Sequence, residues 1–257
     1  MTLAHWLLQL ASAASFASAV LINKILVVEI PPFTLAALRA LLAAPVCVAM
    51  LLLTGRRLPT APADRRTIVL ASLGVVVVPY CALAVGQQTI ASGLSGILYS
   101  TMPLFTLLAA HLLLHDERLG VRKVAGVSLG IAGVVAVIGP SLLGGLGGHA
   151  LAEAITMLGP LAYAIGSVVM RRSRHLDPIV LTAGIFLAAA VILPPAALVL
   201  EQPWTLSIDA RLAGWLVAMA LAGTIAPAAL NYLLVQRVGA TRASIAMFLM
   251  PLLAVLF

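Results

Sequence analysis

Two charges, four tyrosines and a series of prolines stand inside apolar runs long enough to cross a membrane, and chemistry in this chain falls to them. Lys24 and Arg39 are the only charges well inside such runs. A charge at that depth costs about 3 kcal/mol on insertion scales and points to a gate, a binding group or a structural latch. Lys24 lies near the end of its run, where its ammonium can snorkel to the interface. Arg39 is deeper, and pairing with Glu29 or with helix-end carbonyls would make it a structural latch or outer gate. Tyr80 and Gln87 share one helical face; Ser92, Ser95, Tyr99 and Met102 form another that leads to Pro103. Thr156, Tyr163 and Ser167 align on a third, Thr224, Pro227 and Asn231 on a fourth, and Ser244, Met247 and Pro251 on a fifth. Serine and threonine at such spacing also serve plain helix–helix bonding, whereas a buried tyrosine or asparagine needs a partner. The expected substrate contacts are Tyr80, Gln87, Tyr99, Met102, Tyr163, Asn231 and Ser244. Such an aromatic, neutral-to-polar lining suits a small zwitterion with an apolar side chain, its two charges held by the ends of broken helices. All eight acidic residues fall in loops or near span ends. Without a titratable carboxylate in the pathway, facilitated diffusion is expected rather than proton coupling, with His111 the one exception to examine.

The elements that position these residues are membrane helices. Hydrophobic residues make up 63% of the 257 and charged ones 9%, against roughly 45–50% and 25% in soluble domains. The chain divides into nine apolar spans, at 6–28, 33–53, 68–89, 94–114, 124–138, 150–170, 178–200, 212–235 and 240–257. The alternating ten-residue strands of a membrane barrel are absent from the sequence. With the N-terminus in the cytoplasm, twelve of the fifteen Lys and Arg residues fall in cytoplasmic loops, as the positive-inside rule requires. A missed span would scramble that segregation. The net charge of +7 is thus a topology signal and implies no nucleic-acid partner. The N-terminal run lacks a basic leader segment and continues to Val28, so it is expected to be a retained first span. Cys47 and Cys81 lie in apolar spans and read as small buried hydrophobes.

Proline inside a helix removes one hydrogen bond and costs about 3 kcal/mol, yet the prolines recur in register. Pro79 and Pro227, and Pro103 and Pro251, are each 148 residues apart. At that offset "VPYCALAVGQQTIASGLSGILYSTMP" lies over "APAALNYLLVQRVGATRASIAMFLMP" without a gap. A repeat of five spans makes the second copy enter the membrane from the opposite side, an inverted arrangement found in secondary transporters with substrate bound where the halves meet. Residues 1–148 and 149–257 are the expected repeats, with Pro79, Pro103, Pro227 and Pro251 as hinges. Six residues follow Pro251 against about 35 after Pro103, so a tenth span is expected to be missing from the second copy.

The stretch "YCALAVGQQTIASGLSGILYSTMPLFTLLAAHLLLHDERLGVRKVAGVSLGIAGVV" resembles the EamA family of the drug/metabolite transporter superfamily. Pro103 in the fourth span, Glu117-Arg118-Leu119 near its end, the glycines 126, 130 and 133 of the fifth, and Lys24 and Arg39 carry the resemblance. Phe16-Ala17-Ser18 departs from the Trp-Gly and polar residue often found there. The resemblance implies an all-α, ten-helix bundle that exports small metabolites or facilitates their diffusion, often amino acids, in a bacterial-type inner membrane. No cofactor is implied; the partners are a small-molecule substrate and membrane lipid, and monomer or homodimer stays open. The competing classes fit less well. An intramembrane enzyme would need a nucleophile–base pair or a His-Glu-x-x-His pattern, and a channel would need rings of like charge along a pore.

Overall fold

In the computed structural model, residues 3–114, 120–121, 124–129, 132, 149–173, 175–230 and 234 are described. Among them lie seven helices long and apolar enough to cross a membrane. The first is α1 (Leu3–Leu26) and the second α2 (Pro32–Leu53). The third is one continuous run of α3 (Pro62–Ser72), a π segment, π1 (Leu73–Val77), and α4 (Val78–Gln87). The fourth is split into α5 (Ser92–Tyr99) and α6 (Met102–Leu113). Then come α7 (Ala150–Arg172), α8 (Pro178–Leu200), and α9 (Ala210–Ala220), which runs into a second π segment, π2 (Leu221–Ile225). The expected fifth and ninth spans, with Asn231, Ser244, Pro251 and the Glu117-Arg118-Leu119 motif, fall outside the described residues apart from 124–129 and 132.

The bundle buries a small polar network within an otherwise apolar core and is apolar outside. Gln9, Asn23, Arg39, Gln87, Thr156 and Thr224 are buried, while Leu52, Leu112, Val191 and Val199 face outward. Water would expel such a surface; a bilayer solvates it, and the backbone groups satisfy one another within the helices. Small side chains set the helix spacing. Ala36, Ala40 and Ala43 of α2 pack on α8 beside Ala183, Ala189 and Ala197. Gly74 of π1 meets Gly166 of α7 so closely that a Cβ on Gly74 would lie 2.5 Å from the Gly166 Cα.

The prolines do two different things. Pro103 follows a real interruption: α5 ends in short bonds from the amides of Ser100 and Thr101 to Ile97 and Leu98, and α6 restarts at Met102. Pro79 and Pro227 lie within continuous helical runs. Each follows a π segment, in which an amide bonds five residues back, and the helix runs on through the proline. π1 and π2 stand 148 residues apart, the offset of the prolines.

The two ends of the bundle are pinned by charge. At one, Glu201 accepts from the amides of Phe33 and Thr34 at 3.0 and 2.7 Å, a carboxylate on the positive end of α2. Glu29 beside it pairs with Arg211 at 2.7 Å. At the arginine-rich end, Arg56 pairs with Asp177 at 2.9 Å, and His175 lies 2.8 Å from Asp64. Asp177 also caps α8 through the amide of Ile179.

Candidate functional site

Arg39 is the centre of the polar interior. It is the eighth residue of α2, about 10 Å along the helix from its start, and is 3% exposed. Its partners come from three other elements. Nη1 donates to Asn23 Oδ1 of α1 at 3.2 Å, and Nε points at Thr224 Oγ1 at 3.4 Å. Nη2 donates to the Gly223 carbonyl at 3.2 Å. The Tyr80 ring of α4 lies under the guanidinium, 3.6 Å from its carbon to the centroid. The sequence explains the Gly223 contact. In an α-helix that carbonyl would accept from the residue four places on, which is Pro227 and has no N–H. The proline frees a carbonyl and the arginine fills it.

Asn23 extends the network. Its amide nitrogen donates to Gln87 Oε1 at 2.8 Å, and Gln87 Nε2 donates to the Val20 carbonyl at 3.2 Å. Lys24 Nζ sits on the carbonyls of Gln87 and Ile90, at 2.5 and 3.0 Å. Of the two kinds of partner expected for Arg39, Glu29 is taken by Arg211, and the carbonyl Arg39 meets is that of Gly223. Lys24 is partly exposed, and the carbonyls at and just after the end of α4 lie within its reach and hold its ammonium.

The aromatic candidates form a neighbouring group. The Tyr99 hydroxyl donates to the Pro79 carbonyl at 2.8 Å, joining α5 to α4. Tyr99 and Met102 pack with Ala17, Val20 and Leu83, and Tyr163 lies against them. Gly159 makes room, since a Cβ there would lie 2.2 Å from the Tyr99 hydroxyl oxygen. The structure thus gathers Tyr99, Met102 and Tyr163, places Tyr80 on Arg39, and sets Gln87 against α1. Sequence reasoning missed Asn23, although an amide amid apolar residues was the signal. It also missed Glu201, whose role depends on where α2 begins. Among the described residues no three His, Cys, Asp or Glu side chains are placed to hold a metal ion.

A cleft of about 260 Å³ opens between α2, α8 and the turn after π2, lined by Val46, Cys47, Met50, Thr182, Phe186 and Ile225. It lies in the half of the bundle nearer the arginine-rich end. The Arg39 network and the apolar cluster of Ile22, Leu26, Leu35, Leu212 and Met219 fill the other half.

The EamA-like transporter family model matches residues 3–139 and 150–257. The uncharacterized inner membrane transporter YedA of Escherichia coli (strain K12) is 28% identical over 232 residues, covering 88% of this chain and 72% of its own. The uncharacterized Bacillus subtilis (strain 168) transporter YoaV is 24% identical over 240 residues, covering 91% and 80%. A solved crystal structure with 20% identity superposes at a TM-score of 0.69 over 96% of this chain and 86% of that one, which shows the shared fold. A bundle of membrane-spanning helices, matched by the family model along almost all of its length, identifies the chain as a member of the EamA-like transporter family.

Proposed function

We propose that this protein is a secondary transporter that exports small metabolites, or lets them diffuse, across a bacterial inner membrane, with neutral and aromatic amino acids as the substrate class. The observation that carries the reading is the juxtaposition of Arg39, Tyr80 and Tyr99 where the proline-bearing helices meet. An aromatic lining accepts an apolar side chain, and polar groups in a dry interior fix the orientation of a small substrate. The two π segments at the 148-residue offset of the prolines support two related halves of opposite orientation. Alternating access then has the halves rock about the shared centre. In this reading the N-terminus is cytoplasmic.

Uptake of labelled phenylalanine, threonine and a cationic dye into proteoliposomes, with and without a pH gradient, tests this. Saturable amino-acid flux with no accumulation above equilibrium is the expected result. Dye uptake without amino-acid flux would overturn the substrate class, and gradient-driven accumulation would overturn facilitated diffusion. Pro103→Ala, which closes the interruption between α5 and α6, is expected to lower flux about tenfold while insertion and topology stay unchanged. Normal flux in this variant would remove Pro103 as a hinge.

A further inference from the structure

The charge of Arg39 has no counter-charge among the described residues. Among the described residues, every hydrogen-bond partner of its guanidinium is neutral, as is the ring beneath it. The acids are engaged elsewhere. Glu29 holds Arg211, Asp64 faces His175, Asp177 faces Arg56, Glu201 caps α2, and Asp209 caps α9. Glu153 stands in the first turn of α7, and none of these carboxylates comes within ion-pair distance of Arg39. The second cation, Lys24, also rests on carbonyls only, and Asn23 and Gln87 link the two charges. A guanidinium keeps its charge in proteins, and leaving one buried without an anion costs several kcal/mol.

The bonds that hold it are also loose. At 3.2 to 3.4 Å they lie at or beyond the long end of N–H···O distances. A carboxylate on the same nitrogens would close to about 2.8 Å, often bidentate, with roughly twice the strength of a neutral acceptor.

We propose that Arg39 is the receptor for the carboxylate of the transported molecule, which takes the guanidinium from Asn23, Thr224 and Gly223. Those three bonds tie α1 and π2 to α2. Binding the anion and releasing the latch are therefore one event. The inference rests on the transporter reading and narrows its substrate class. Among the described residues no acid faces the Tyr80–Arg39 pair to receive an ammonium, so the amine is dispensable and the carboxylate is not. Two uncompensated cations also repel an amine that brings no carboxylate.

The test is counterflow of labelled phenylalanine in proteoliposomes holding the wild-type protein, with unlabelled 3-phenylpropionate and phenethylamine as competitors. 3-Phenylpropionate is expected to compete within about threefold of phenylalanine and phenethylamine about 30-fold more weakly, the range of a lost charge-assisted hydrogen bond. Equal competition by the two overturns the proposal while leaving phenylalanine transport standing. If phenylalanine is not transported, the amino-acid class falls, and thermal unfolding of the solubilised protein reads the anion site by itself. There, stabilisation by 3-phenylpropionate and not by phenethylamine supports the proposal, and its absence overturns it. Arg39→Gln should erase the discrimination between the two compounds; a purely structural arginine would leave their ratio unchanged.

Discussion

Asn23→Leu is expected to lower the apparent Tm of the solubilised protein by roughly 6–12 °C, the equivalent of about 3 kcal/mol. One side chain closes both halves of the inner network: Asn23 Oδ1 accepts from Arg39 and Nδ2 donates to Gln87. Leucine keeps the heavy-atom branching of asparagine but leaves a buried charge and a buried amide short of partners, and leaving a buried polar group unpaired costs more than a pair contributes. Arg39→Met removes the charge itself, and replacing a buried ion by an apolar side chain is often close to neutral. Arg39→Met alone should therefore shift Tm by less than about 3 °C, and adding it to Asn23→Leu should recover most of the loss. Ser18→Ala is the control, because that hydroxyl bonds one turn back to Ser15 in its own helix. The double-mutant cycle in thermal unfolding decides the matter. Additive losses would mean that Asn23 does not act through the guanidinium.

Gly166→Ala is expected to cost about 2–3 kcal/mol, the upper part of the usual overpacking range, and to lower Tm by roughly 4–12 °C. The added methyl would lie 2.7 Å from Val75 Cγ1 and 2.9 Å from the Gly74 backbone. A side chain can swing away, but backbone held inside a π turn cannot, so α7 must move off π1. Gly126→Ala has open space around it and a helical backbone, where alanine is favoured by up to about 1 kcal/mol. It should leave Tm unchanged or raise it slightly. The comparison is read by thermal unfolding and by the yield of monodisperse protein. Equal behaviour of the two variants would mean that the π1–α7 contact does not hold the bundle together.

The sequence alone determined the membrane environment, the seven described spans and the gathering of basic residues at span ends. These follow from hydropathy summed over about 20 residues, a local property that needs no knowledge of neighbours. Even there, the third span begins at Pro62 and not near 68, because Pro62 starts a helix well and Arg65 and Arg66 lie at the wet end. Prolines in register carried the 148-residue offset at which both π segments stand, but not the wide turn that keeps the helix unbroken at Pro79 and Pro227. Tyr80, Tyr99, Met102 and Tyr163 were legible as candidates because each is polar, aromatic or polarizable beside a proline. Asn23 was not, since its meaning lies in two residues of other helices, 16 and 64 positions away. Only the tertiary structure decided partners. Whether Arg39 meets Glu29 or the Gly223 carbonyl depends on the rotation and depth of α2 against π2, and those are set by packing of small residues between helices. Sequence spacing fixes the face a residue occupies on its own helix, and nothing about what that face meets.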